Sequence, residues 1–126
     1  MITGFDHVHY TSTNIEEMAK YFERVFGAKE MSRAESRGFP MIRMNAFGTT
    51  ISFIGTDPGA GQLEAGTGKR GLDHIGFKVK NLEETLDDLK KKGVKVVSGP
   101  SVTPSGLKIA FIGGPEGIRI ELVERD

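Results

Sequence analysis

The sequence predicts an α+β fold built from two copies of one module, each a strand, a helix and then about three strands. The prediction rests on an internal repeat, a pair of capped amphipathic helices, and alternating strands separated by turn residues after each helix.

The repeat appears when the chain is slid by 67 positions, which lays FDHVHYTSTNIEEMAKYFERVFGAKEM over LDHIGFKVKNLEETLDDLKKKGVKVV with one residue skipped near the glycine. Asp6, His7, Asn14, Glu16, Glu17, Gly27 and Lys29 then fall on Asp73, His74, Asn81, Glu83, Glu84, Gly93 and Lys95. The matches sit at both ends of the same elements, where chance would not gather them.

Each copy opens with an alternating strand, Phe5 to Thr11 and Leu72 to Val79. Asn14 and Asn81 are the predicted helix N-caps, because an Asn side chain accepts hydrogen bonds from free first-turn amides. The glutamates that follow each of them favour the positive end of the helix dipole. Ile15, Met18, Ala19, Phe22 and Val25 in one copy, and Leu82, Leu86 and Leu89 in the other, keep the spacing of a buried stripe. Gly27 and Gly93 suit the left-handed residue that ends a helix.

Further strands are expected at Met41 to Ala46, Thr49 to Ile54, Lys108 to Ile112 and Ile118 to Val123, the last two joined through Gly-Pro-Glu-Gly. Module one is expected at about 1–56 and module two at about 71–126 of a single domain. The intervening segment, about 57–70, is poor in apolar residues and reads as a linker.

Composition narrows the function. Seventeen basic residues balance seventeen acidic ones, so no net field favours nucleic acid or an anionic membrane. The absence of cysteine removes disulfides, thiolate nucleophiles and cysteine-based zinc sites, leaving His and carboxylates as metal ligands. No apolar run is long enough for a membrane span and no leader is visible, so the expected location is the cytoplasm.

Strand alternation then sorts the side chains. Ile75, Phe77 and Val79 share one face, as do Ile118, Ile120 and Leu122, and these should pack on the helices. His74 and Glu121 take the opposite face, as do His7, His9 and Ser52 in the first copy. A single histidine on a strand is ordinarily a solvated polar residue. The repeat is what singles out His7 and His74. Two imidazoles and a carboxylate on one sheet surface form a set that binds Zn, Ni, Mn, Fe or Co while leaving positions open for substrate.

Other charged features carry less. Lys90, Lys91 and Lys92 oppose the dipole at a helix end. Arg43 and Lys108 are weak candidates for contact with an anionic substrate. Gly66 to Gly71, GTGKRG, lacks the spacing of a phosphate-binding loop.

The paired "DHV" and "DHI" openings, the two helices and the closing "FIGGPEGIRIELVE" resemble the vicinal oxygen chelate superfamily, over essentially the whole chain. That group includes glyoxalase I, methylmalonyl-CoA epimerase, extradiol dioxygenases and the fosfomycin or bleomycin resistance proteins. The resemblance implies a glyoxalase-like fold, two βαβββ modules forming a cupped mixed sheet with helices outside, around a divalent metal ion.

His7, His74 and Glu121 fall on three of the family's ligand positions, and Ser52 falls on the fourth, where glyoxalase I and the epimerase carry a carboxylate or amide. The implied function is a metal-dependent lyase or isomerase of the glyoxalase type. Its small substrate would chelate through adjacent oxygens, with Glu121 or hydroxide as base. His9, whose counterpart is Gly76, is a candidate acid-base group. An extradiol-type dioxygenase and a metal-free drug-binding protein of the bleomycin-resistance kind are the alternatives. A homodimer is expected from the resemblance.

Overall fold

The structure is a computed structural model that describes residues 1–62, 65, 66, 68 and 70–126. Leu63, Glu64, Thr67 and Lys69, which belong to the expected linker and in part to the GTGKRG run, lie outside the described residues. Two compact units divide the chain, Met1–Gly61 and Gln62–Asp126.

In the first unit, β1 (His7–Ser12) leads into α1 (Ile15–Phe26), followed by β2 (Lys29–Ser36), β3 (Phe39–Ala46) and β4 (Thr49–Gly55). The sheet order is β1-β4-β3-β2, with β1 parallel to β4 and the other pairs antiparallel. The second unit repeats this plan. It contains β5 (Ile75–Val79), α2 (Leu82–Lys91), β6 (Val96–Val102), β7 (Lys108–Gly113) and β8 (Arg119–Glu124), in the order β5-β8-β7-β6. Each unit is therefore a βαβββ module with a mixed four-stranded sheet, as the sequence predicts.

The helix ends follow from their caps. Asn14 Oδ1 accepts the Glu17 amide at 3.1 Å and Asn81 Oδ1 accepts the Glu84 amide at 3.0 Å. At the other ends Gly27 and Gly93 take φ of +67° and +80°, which a side chain would oppose.

In the first module α1 packs on β3 and β4. Phe22 is fully buried among Phe53, Phe26 and Tyr21, with ring centroids 5.1, 5.3 and 5.5 Å away. Ile42, Met44 and Ile51 complete that face, together with Met18 from the helix. In the second module Leu82, Leu86 and Leu89 of α2 are buried, as are Ala110, Ile112, Ile120 and Leu122 of the strands beneath them. The polar residues that alternate with these strand positions are directed to the opposite face of each sheet. That is the face on which the candidate residues lie.

Two expected strands begin later than their composition suggests. Phe5 and Leu72 precede the strands and are 77% and 66% exposed. His74 therefore sits just ahead of β5 rather than within it. Two strands with no apolar alternation, β2 and β6, were not placed from the sequence. β2 is exposed along nearly its whole length, and β6 is interrupted by Gly99 and Pro100.

Among the described residues no helix is long and apolar enough to cross a membrane.

Candidate metal centre

The second module contains the more complete arrangement. Parallel pairing of β5 with β8 sets Gly76 opposite Glu121, and antiparallel pairing of β7 with β8 sets Phe111 on its other side. Ile120 and Leu122 are buried under α2, so alternation turns Glu121 to the other face. His74, one residue ahead of β5, reaches the same place and brings Nε2 to 3.0 Å from Glu121 Oε2.

Gly76 leaves the flank of that carboxylate open. A Cβ built there would lie 3.7 Å from Glu121 Oε2, so any longer side chain would occupy the space beside it. Phe111 stands edge-on to the His74 ring at 4.9 Å between centroids, and the Arg119 guanidinium lies 4.3 Å from the Phe111 centroid. With side chains 29% and 21% exposed, His74 and Glu121 remain reachable by a ligand.

The other nitrogen of His74 is also engaged, since Nδ1 lies 2.8 Å from Asp73 Oδ2. Asp73 accepts in addition from the Gly66 amide at 2.6 Å. The His74 contact, followed by the Gly66 amide, holds the Asp73 carboxyl below its ordinary value.

In the first module His7 opens β1, and its Nδ1 lies 2.7 Å from Asp6 Oδ2, repeating the Asp73–His74 contact. The His7 and His9 rings project to the same side, with centroids 6.0 Å apart. His9 is opposite Ser52, and Ser52 is opposite Arg43 on the next strand. The positions that hold Gly76 and Glu121 in one module thus hold His9 and Ser52 in the other. Ser52 is 2% exposed. His9 is shifted below its ordinary pKa by burial first and then by the positive field of His7, Arg37 and Arg43, which favours its neutral form.

Arg43 shares the face of Ser52, as expected for a residue directly across the ladder. Lys108 alternates with Ile109 and Phe111 and takes the face opposite Glu121, which removes it as a contact for a ligand at that carboxylate. Phe111, Arg119 and the two aspartates were not assigned roles from the sequence. The repeated Asp-His pair was a visible signal for Asp6 and Asp73, whereas Phe111 required the β7–β8 register.

Within either module the described residues gather no group of three or more His, Asp or Glu side chains able to hold a metal ion. The second module nevertheless offers a pair whose chemistry fits one. A carboxylate only accepts hydrogen bonds, so an ionised Asp73 requires the proton on Nδ1. If that is the ring's one proton, Nε2 points a lone pair at the Glu121 carboxylate, and a proton or a cation between them is what makes that approach favourable. The 3.0 Å separation of Nε2 and Oε2 is a hydrogen-bond distance, and the pair offers the imidazole nitrogen and carboxylate oxygen that a divalent ion would take.

The model of the Glyoxalase/Bleomycin resistance protein/Dioxygenase superfamily matches residues 4–122. The chain belongs to this superfamily. Among curated relatives, a probable chloroplastic lactoylglutathione lyase of Arabidopsis thaliana is 27% identical over 133 residues, covering 94% of this chain and 35% of the relative. A probable lactoylglutathione lyase of Synechocystis sp. (strain ATCC 27184 / PCC 6803 / Kazusa) is 38% identical over 55 residues, covering 43% of this chain and 42% of the relative. The chain thus spans about a third of the plant relative's length. The crystal structure of the glyoxalase family protein from Enterococcus faecalis superposes with a TM-score of 0.85 at 19% identity, covering 96% of this chain and 97% of the other. At that identity the likeness establishes the superfamily's fold.

Proposed function

We propose that the chain is a divalent-metal-dependent lyase or isomerase of the glyoxalase type, acting on a small substrate with two adjacent oxygens. The observation that carries this reading is the His74–Glu121 pair, a nitrogen and an oxygen donor 3.0 Å apart on a partly exposed sheet face. The two lactoylglutathione lyase relatives support the same class of reaction.

In this reading His7, His74 and Glu121 are the ligands that the family resemblance implies. When bound, a divalent ion supplies Lewis-acid polarisation of the substrate oxygens, worth several kcal/mol toward the barrier. The remaining work falls to the chain. Glu121 is the carboxylate placed to take the proton from the carbon beside those oxygens. His9, whose neutral form is favoured, is the second acid-base group. The ring of Phe111 walls one side of His74. Ser52 replaces a ligand with a neutral hydroxyl, leaving the first module one charged donor short of glyoxalase I.

The reading includes a homodimer in the cytoplasm, and sedimentation of the purified protein tests the dimer. Turnover of hemithioacetals, acyl-CoA epimers and catechols tests the reaction. Isomerisation of either of the first two supports it, and ring cleavage of a catechol alone would replace it with an extradiol dioxygenase. A protein that binds metal but turns over none of them would favour a binding role.

A further inference from the structure

We propose that Asp73 is a positioning residue that selects the ring tautomer of His74, leaving Nε2 unprotonated and turned toward Glu121. This inference rests on the metal-centre reading for its purpose, although not for its geometry. Both oxygens of Asp73 are committed, Oδ2 to His74 Nδ1 at 2.8 Å and Oδ1 to the Gly66 amide at 2.6 Å. The carboxylate is thereby tied to the segment that precedes β5 and cannot swing away from the ring without releasing a backbone donor. Gly66 has φ of +74°, and a Cβ at that position would run into the Arg119 guanidinium. The left-handed backbone there is one that glycine adopts without strain.

The need for such a device comes from Glu121. A carboxylate 3.0 Å from Nε2 favours the tautomer that carries its proton on Nε2, and that proton would block the nitrogen as a ligand. Asp73 exerts the opposite pull from Nδ1. The ring therefore lies between two acceptors, and the better anchored of them fixes where the proton resides.

The first module has a looser form of the same contact. Asp6 Oδ2 meets His7 Nδ1 at 2.7 Å, but the Asp6 side chain is 94% exposed, and it accepts no second hydrogen bond among the described residues. No carboxylate competes for His7 Nε2 among the described hydrogen bonds. His7 accordingly depends less on Asp6 than His74 does on Asp73.

The test uses chelator-stripped full-length protein with 15N-labelled histidine, at a pH where the rings are neutral. Long-range 1H–15N spectra report the His74 tautomer, and calorimetric titration with Zn(II) reports affinity. Asp73→Ala should move the His74 proton from Nδ1 to Nε2 and weaken Zn(II) binding by about 10- to 100-fold, the usual effect of losing an outer carboxylate partner. Asp73→Asn, whose amide oxygen still accepts, should restore the Nδ1–H form even though the charge is gone. Asp6→Ala should leave His74 unchanged.

A His74 ring that keeps its proton on Nδ1 in Asp73→Ala overturns the proposal, even if affinity falls, because the loss would then be one of charge alone. Failure of the wild-type protein to bind Zn(II) would count against the metal-centre reading, and the tautomer would still decide the role of Asp73.

Discussion

His74 Nε2 and Glu121 Oε2 meet at 3.0 Å although 47 residues separate them in the chain. The parallel pairing of β5 with β8 makes that meeting possible, because it carries the start of the second module alongside the last strand. On the metal-centre reading, Glu121→Gln keeps the shape and removes the charged donor. Mn(II) or Zn(II) affinity measured by calorimetry should fall by more than the roughly 10- to 100-fold expected for an outer-shell partner. An unchanged affinity would remove Glu121 from the ligand set.

The two asparagine caps make equivalent bonds in the two modules, 3.1 Å to the Glu17 amide and 3.0 Å to the Glu84 amide. Asn14→Ala and Asn81→Ala should each destabilise the protein by about 1 kcal/mol in urea unfolding. A cost near zero for either would mean that water replaces the cap at that helix.

Phe22 anchors the aromatic cluster under α1 and has no exposed surface. Phe22→Ala should cost about 3–5 kcal/mol, through lost burial and the cavity left between Phe53 and Phe26. Unfolding midpoints of the variant and the wild type measure this directly. A loss under about 1 kcal/mol would show that the cluster collapses into the space.

Glu16 is paired with Arg33, whose Nη2 donates to Oε2 at 3.1 Å, and this bond holds the Glu16 carboxyl below its ordinary 4.5. A carboxylate with a lowered folded-state pKa stabilises fully above the ordinary value and loses that contribution as pH falls through the lower one. The stability difference between wild type and Glu16→Gln should therefore be constant near neutrality and close up below pH 4.5. Because the pair is exposed, the difference should be small and should shrink with salt. A gap that widens in acid would contradict the pairing.

The helices, their caps and the buried faces of the inner strands were legible because each depends on local spacing. Ile15, Met18 and Phe22 declare a helix face, and Ile120 and Leu122 a strand face, without reference to the rest of the fold. β2 was not legible, since KEMSRAES is exposed along nearly its whole length and nothing selects for alternation there. The strands begin after Phe5 and Leu72, because an apolar residue next to a strand does not by itself extend the hydrogen-bonded ladder. In the site, strand alternation set Glu121 on the non-helix face. It could not give the His74 contact or the Phe111 neighbour, which depend on register between strands distant in sequence. The Asp-His repeat was visible, but the direction of each aspartate was set by backbone geometry ahead of β1 and β5.

The exchange of Gly76 and Glu121 for His9 and Ser52 suggests one further variant. On the metal-centre reading, Ser52→Glu gives the first module a carboxylate directly across the ladder from His9 and Arg43. Zn(II) affinity should rise and hemithioacetal turnover should appear or increase, both read against the wild type. An unchanged affinity would show that position 52 does not take part in holding the ion.

The most direct measurement is elemental analysis of the protein purified without chelator and then loaded in turn with Mn, Fe, Ni, Zn and Co, alongside His74→Ala. The account predicts near-stoichiometric retention of at least one of these metals by the wild type and a fall to background in the variant. No retained metal in the wild type, or equal retention in His74→Ala, would contradict it.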